Sequence, residues 1–351
     1  MKSRSTSGRI TLRDLATHLG LSKTTVSVVM SGSKAAEAIP EKTRRRIERA
    51  AEKLGYRAHY MARSLRKSES MSVGIIVPEF SDGYFTLLMA GIEEFLISAG
   101  YFYFTVSHYW KPDLQQQYPA MLEERGVDGL LMVNTDPPQS HLPMVSISGH
   151  HKRGAPTTVM LDHEHAAHLL IEHLHGLGHR RIAFVHGQSW SQDTQLRRKA
   201  FVTAMQQFGL KIIPELQVTL DATTWTPDLG YAPATELLKK TRDFTALVCF
   251  NDTAAMGAIR AARDAGLRVP EDISVTGFDN IAHASFFSPS LTTVQQPLRE
   301  MGKSAAQALI EHIRHPQQTQ PAKLVHQPLL VARESTGHAP LTATTAKRSA
   351  K

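Results

Sequence analysis

Beyond Ser72 the chain repeats one pattern, short apolar runs alternating with amphipathic helical stretches, and this restricts the possible folds more than any other feature. The runs predict strands over Val73 to Pro78, Tyr101 to Ser107, Gly129 to Val133, Met144 to Ile147, Arg181 to His186, Ala246 to Phe250 and Ile273 to Gly277. Helical periodicity appears between them, over Tyr84 to Ser98 and Glu164 to Gly176. Strict β/α alternation implies parallel sheets covered by helices on both faces. So many strands need more than one sheet, so the expected core is two doubly wound lobes. A ligand would lie in the cleft between them, at the strand carboxyl ends.

The first seventy residues differ in kind. They hold 16 Lys and Arg against 6 Asp and Glu, a net of +10, whereas the rest of the chain is close to neutral. A basic block of this size is the electrostatic footprint of a phosphate-neutralising module. Apolar residues recur in it at helical spacing, so it is not a solvated tail. Thr11 with Asp14 forms a start signal, Leu12, Leu15, Ala16 and Leu19 form a buried stripe, and Gly20 ends the helix. Ser22 can cap a second helix through Met30, with Val26 and Val29 inward. Two brief helices joined by a tight Gly-containing turn present the second to a major groove. A third helix is expected to begin at Pro40 as its first helical residue. Arg44, Arg45, Arg46 and Arg49 lie along it, opposite Ile47, Ala50, Ala51 and Leu54.

Composition excludes several classes. No apolar run approaches the roughly 20 residues of a membrane-spanning helix, so no membrane partner is expected. The basic, polar start of the chain does not read as a secretory signal. A single cysteine, Cys249, forms no intramolecular disulfide and sits in an apolar strand as a small buried hydrophobe. Together these predict a cytoplasmic protein. His163, His165, His168, His173 and His175 cluster, but their spacing matches no zinc signature, and no metal or other cofactor is expected. Nucleophile elbows and phosphate-binding glycine loops are likewise missing, so the chain is not expected to be an enzyme.

At the level of motifs the chain resembles the lactose-repressor and galactose-repressor family of bacterial transcriptional regulators. The resemblance rests on Ile10-Thr-Leu-Arg-Asp-Leu-Ala, Gly20-Leu-Ser-Lys-Thr-Thr-Val-Ser27 and Lys53-Leu-Gly-Tyr56. It continues through Leu177-Gly-His-Arg-Arg-Ile-Ala, Asn251-Asp-Thr-Ala-Ala-Met-Gly-Ala, Val269-Pro-Glu-Asp-Ile-Ser-Val-Thr-Gly-Phe-Asp279 and Leu291-Thr-Thr-Val, covering residues 10 to 337. It implies an all-α helix-turn-helix headpiece followed by an α/β core, two doubly wound parallel-sheet lobes of periplasmic-binding-protein type. Lys23, Thr24 and Val28 would contact bases; Val28, where the family commonly has a long polar side chain, could offer only apolar contact, as to a thymine methyl. Thr11, Ser22, Thr25, Ser27 and Arg44 would contact phosphates. His59, Ala62 and Leu65 would lie on a hinge helix entering the minor groove. Ala58 and His59 stand where the family usually has Pro and Asn.

The resemblance also implies an effector site built from Tyr84, Phe85, Asn134, Ser148, Arg197, Trp225, Asn251 and Asp279. Ser148 replaces an Asp common in sugar-binding members. Helix capping is a rival role for Asn251 and Asp279. Expected boundaries are a basic arm at 1–9, the headpiece at 10–57, a hinge at 58–70, the core at 71–337 and a disordered tail at 338–351. Within the core, the N-lobe would take about 71–161 and 292–323, and the C-lobe about 162–291 and 324–337. The implied function is a repressor whose operator affinity is tuned by a sugar, sugar derivative or nucleobase-like metabolite. Its partners would be double-stranded operator DNA, the effector and a second copy in a homodimer, since the C-terminal stretch lacks the leucine heptads of a tetramerising coil. The rival classes are a solute-binding protein, which would have no use for the basic headpiece, and a sugar- or nucleoside-acting enzyme on a similar scaffold.

Overall fold

The computed structural model describes residues 10–31, 34–56, 70–80, 83–148, 157–220, 226–319 and 321–340. The chain divides into two units, Met1–Met71 and Ser72–Lys351. In the first, α1 (Leu12–Leu19), α2 (Lys23–Met30) and α3 (Glu41–Lys53) enclose a small core of Leu15, Leu19, Val26, Val29, Ile47 and Ala51. Thr11 opens α1 through a reciprocal capping box: its hydroxyl accepts from the Asp14 amide at 3.2 Å, and its own amide donates to Asp14 Oδ2 at 2.9 Å. Gly20 closes the helix at φ 63°, a left-handed conformation that costs glycine nothing and sends the chain directly into the Ser22 cap of α2. Pro40 is the cap residue of α3 and not its first helical residue, as the sequence suggested; its ψ of 136° is extended, so the helical turn starts at Glu41. Arg46 donates to the Leu19 carbonyl at 3.0 Å and fastens α3 to the end of α1.

The second unit carries two six-stranded sheets. One has the order β2-β1-β3-β4-β5-β11, formed by Phe102–Ser107, Ser72–Val77, Leu130–Val133, Met144–Ile147, Thr157–Leu161 and Lys323–His326. The other has the order β7-β6-β8-β9-β10-β12, formed by Gln217–Thr219, Ile182–His186, Ala246–Cys249, Ser274–Asp279, Thr292–Gln295 and Leu329–Val331. The two lobes therefore repeat one doubly wound order. Their central strands are apolar along their whole length because helices cover both faces: every residue of β1, β3 and β8 is buried. The covering helices of the first lobe are α4 (Gly83–Ala99), α5 (Pro112–Glu124) and α11 (Leu298–Arg314). Those of the second are α6 (His163–Gly176), α7 (Gln192–Gln207), α8 (Asp228–Lys240) and α9 (Asp252–Asp264), with the single turn α10 (His283–Phe286). Helices α4 and α11 pack backbone to backbone, since a Cβ at Gly91 would overlap the Arg299 carbonyl.

Three expectations require correction. The sheets are not wholly parallel, because β12 runs antiparallel to β10. The lobe boundaries also move. Thr292–Gln295 pairs with β9 in the second lobe and Lys323–His326 pairs with β5 in the first, so the chain crosses after Leu161, Gln295 and His326. Order persists past residue 337 as well. The Ala339 amide donates to the Leu177 carbonyl at 2.9 Å, and His179 Nε2 lies 3.0 Å from the Gly337 carbonyl, tying 338–340 to the second lobe. The remainder of the expected tail, the basic arm at 1–9 and almost all of the hinge fall outside the described residues.

Candidate functional site

In both sheets the strand order reverses beside the first strand of the lobe, and there the helices on either side diverge and open a crevice at the strand carboxyl ends. The residues following these ends line one cleft of about 410 Å³. The first lobe contributes Tyr84 and Phe85 from the start of α4, Trp110 beyond β2 and Asn134 beyond β3. The second contributes Gln188 and Trp190 beyond β6, Asp193 and Arg197 from α7, Phe250 and Asn251 beyond β8, and Asp279 at the end of β9.

Arg197 is the electrostatic centre. It is 5% exposed, its Nη1 donates to the Phe250 carbonyl at 2.7 Å, and its guanidinium lies over the rings of Phe250 and Phe278, at 4.5 and 3.9 Å from their centroids. Two carboxylates flank Nη2, Asp193 Oδ2 at 3.7 Å and Asp279 Oδ1 at 3.9 Å. A buried cation persists only where such partners replace its water. Asp279 in turn accepts from Gln296 Nε2 at 2.6 Å, immediately after a crossing between the lobes.

The other sequence-predicted residues divide by what they touch. Asn251 lines the cleft and also caps α9, its Oδ1 accepting from the Ala254 amide at 2.8 Å, so the capping role is realised for it. Tyr84 and Phe85 meet edge to face, with centroids 5.1 Å apart. Burial pushes the Tyr84 hydroxyl far above its ordinary range, keeping it a neutral group. Ser148 is not part of the cleft lining; it stands behind it, with Oγ 3.3 Å from the Tyr84 hydroxyl. Trp225 lies outside the described residues. Trp110, Asn134, Ser148 and Asp279 all have positive φ, at 58°, 44°, 53° and 111°. Such strained backbone concentrates where side chains must be aimed at a ligand.

The sequence reading missed Trp110, Gln188, Trp190, Asp193 and Phe250. Trp110, Gln188 and Trp190 follow predicted strands, Phe250 ends one, and Asp193 precedes Arg197 by one helical turn, which was the available signal. His163 was noticed only as part of a histidine run. Its Nε2 lies 3.8 Å from Asp193 Oδ1, and burial pushes it down to about 4, so it is neutral at neutral pH. Behind the cleft, Asp252 accepts from the Thr293 hydroxyl at 2.5 Å and the Ile281 amide at 2.8 Å, and burial raises its carboxyl to about 7. Among the described residues no group of three potential metal ligands gathers; His173 and His168 instead lie within hydrogen-bonding distance of Thr336 and Gln207. Cys249 is buried, and burial raises its thiol above the thiolate range.

In the N-terminal unit, Lys23 and Thr24 are exposed on α2 and Val28 is half-buried one turn later. Thr11 and Ser22 are exposed caps, and Thr25 Oγ1 lies 2.8 Å from Ser22 Oγ. Ser27 and Arg44 are half-buried. Of the basic run on α3, Arg45 pairs with Glu41 and Arg46 is held by the Leu19 carbonyl. His59, Ala62 and Leu65 fall outside the described residues.

A helix-turn-helix unit in one chain with a two-lobed, cleft-bearing α/β core defines a ligand-responsive DNA-binding regulator. Comparison with known proteins specifies the family. Residues 11–59 match the lacI family of bacterial regulatory proteins, and residues 171–336 match the periplasmic binding protein-like domain. The transcriptional repressor PurR of Proteus mirabilis (strain HI4320) is 32% identical over 340 residues, spanning 94% of this chain and 98% of the relative. PurR of Yersinia enterocolitica is similar to the same extent, 32% over 340 residues and the same two shares. A lac repressor dimer bound to operator and the anti-inducer ONPF superimposes with a TM-score of 0.83 at 24% identity, over 94% of this chain and 99% of that one. A complex of the regulator CelR with cellobiose gives 0.70 at 26%, over 93% and 100%. The chain belongs to the lacI family of bacterial regulatory proteins and is a DNA-binding transcription regulator.

Proposed function

We propose that the chain is a cytoplasmic homodimeric repressor whose operator affinity is set by a small metabolite held at Arg197, and that it turns over no substrate. The observation that carries this reading is the cleft itself. Residues from both lobes converge on a buried cation, so a ligand there contacts both lobes and favours one arrangement of them over another. Where the operator also favours one arrangement, ligand and DNA change each other's affinity by the same factor. Asp193 and Asp279 flank Arg197, Asn251 caps α9 and Asp279 accepts from Gln296, which suits binding better than proton transfer. Burial holds both Tyr84 and His163 neutral.

On the DNA side, Lys23, Thr24 and Val28 would read base edges, while Thr11, Ser22, Thr25, Ser27 and Arg44 would hold phosphates. An apolar strip along α4 and the edge strand β2 supports the homodimer: Ile97, Phe102 and Phe104 are 69%, 59% and 37% exposed. An exposed apolar edge of this kind is costly unless a partner covers it. The test is a fluorescence-anisotropy titration of an operator, selected from random duplexes by the full chain, with and without metabolites. A metabolite that binds the core should shift operator affinity by about 5–150-fold. A core ligand that leaves operator affinity unchanged would defeat the reading.

A further inference from the structure

We propose that Trp110 and Trp190 form a latch holding the two lobes together on the side of the cleft opposite the chain crossings, and that His108 is the positioning residue that keeps Trp110 in it. The latch stands on geometry alone; only its effect on operator affinity rests on the function proposed above. The three crossings follow Leu161, Gln295 and His326, at the ends of β5, β10 and β11. In the first sheet β5 and β11 are the last two strands at one edge, and in the second β10 and β12 are. Trp110 follows β2, at the opposite edge of the first sheet, and Trp190 follows β6, one strand in from the opposite edge of the second. The lobes are thus joined covalently along one side, and on the other these two rings meet, with centroids 4.7 Å apart and planes tilted by 58°. When lobes swing about their crossings, the points opposite travel farthest, so a contact there resists opening with the longest lever. Trp190 is also tied to the site: it directly precedes Ser191, whose hydroxyl caps α7, and α7 carries Asp193 and Arg197.

Local preference does not hold Trp110 in this place. Tyr109 and Trp110 both have positive φ, at 49° and 58°, a region that residues other than glycine occupy only where their surroundings impose it. The His108 ring supplies the constraint. It is fully buried, the Trp110 amide donates to its Nδ1 at 3.1 Å, and Gln115 Nε2 lies 3.3 Å from the same nitrogen. Burial pushes His108 down to about 4, so the ring is neutral at neutral pH. A neutral imidazole that accepts at Nδ1 carries its proton on Nε2. Nε2 therefore donates to Thr135 Oγ1 at 2.9 Å, and Thr135 donates onward to the Val133 carbonyl at 2.7 Å. The Trp110 indole completes the arrangement by meeting the imidazole edge to face, with centroids 5.7 Å apart. One ring thus fastens the loop after β2, which carries Trp110, to the loop after β3, which carries Asn134. A side chain without an acceptor at the place of Nδ1 would remove the partner of the Trp110 amide and release the strained turn.

The test is circular dichroism and amide exchange on the ligand-free full chain. Two indoles in contact with inclined planes couple their transitions and give a couplet, a pair of bands of opposite sign. Trp110→Phe and Trp190→Phe should each abolish the same couplet and give superimposable difference spectra. His108→Asn, whose Oδ1 can stand in for Nδ1 as the acceptor, should keep the couplet. His108→Leu offers no acceptor and should lose it. His108→Gln, which can still donate to Thr135 but does not accept at the place of Nδ1, should lose it as well, so the outcome does not hang on the leucine variant folding. Trp190 is half exposed, and its removal opens no core. Trp190→Ala should speed exchange across the cleft, at Tyr109–Lys111, by about two- to tenfold, the shift expected on losing one aromatic pair. Trp110→Ala should do the same at the start of α7. A parent without a couplet, disagreeing difference spectra, a couplet that survives His108→Gln, or exchange that changes only on the substituted side would overturn the proposal. Operator anisotropy on Trp190→Ala keeps the two conclusions apart. The expected couplet and exchange with unchanged operator affinity would refute control by lobe arrangement and leave the latch standing, whereas an operator shift without a couplet in the parent would refute the latch alone.

Discussion

Replacing Arg197 with Met tests how the centre of the cleft is held. Methionine approximates the length of the arginine stem and fills irregular space, so packing between the Phe250 and Phe278 rings is largely kept while the charge is lost. Asp193 and Asp279, at 3.7 and 3.9 Å from the guanidinium, then face each other in a buried site without their cation. Breaking a buried ion pair by removing one partner costs about 3–5 kcal/mol, most of it the uncompensated charge left behind. For a unit of this size about 2 °C accompanies each kcal/mol, so the melting temperature should fall by about 6–10 °C. The diagnostic step is the triple variant Arg197→Met, Asp193→Asn, Asp279→Asn. It removes the stranded charges, while Asn at 279 can still accept the 2.6 Å hydrogen bond from Gln296. It should regain more than half of the loss, a non-additivity that contacting charges produce and distant ones do not. Calorimetry and urea unfolding at pH 7.5 measure both. A single variant within about 1 kcal/mol of the parent, or a triple variant less stable than the single, would refute the view that charge pairing holds the cleft.

Thr11→Ala removes the capping box of α1 and should cost about 1 kcal/mol, read as faster amide exchange within Leu12–Leu19; unchanged exchange would mean that packing alone holds the helix. Lys23→Ala should change which operator sequences are preferred, whereas Arg44→Ala should weaken all of them alike and flatten the salt dependence of binding by about one unit of slope, and identical behaviour would contradict the base-reading role of Lys23. His163 has a folded-state value lowered from 6.5 to about 4, so the unfolded chain binds the proton first. Its contribution is therefore complete above pH 6.5 and is lost as pH falls toward 4, by about 3 kcal/mol at 1.4 kcal/mol per unit. Urea unfolding at pH 7.5 and 4.5 should show this loss in the parent and a smaller one in His163→Gln; equal losses would place the acid sensitivity elsewhere.

The legible parts of the sequence were those in which one local rule decides the outcome. Thr11 with Asp14, Gly20 and Ser22 bound two helices unambiguously, because caps act through the nearest few backbone groups. Most strands read directly were buried central ones, where an apolar run such as Leu130–Val133 leaves no alternative; the edge strand Phe102–Ser107 was read as well. Short or mixed strands escaped. Lys323–His326 alternates exposed and half-buried residues, and Thr292–Gln295 carries two threonines and a glutamine, so neither stands out from a loop. Misassigning them moved a lobe boundary, because which sheet a strand joins is a long-range matter that no window of sequence contains. The cleft shows the same division. Arg197 and Asp279 were found by likeness to a family, but Trp110 and Trp190 lie 80 residues apart in sequence and meet, with ring centroids 4.7 Å apart, only because two lobes bring them together. What distinguishes this regulator from others of its fold is thus written in loops beyond strand ends, where the scaffold constrains residue choice least and the ligand constrains it most.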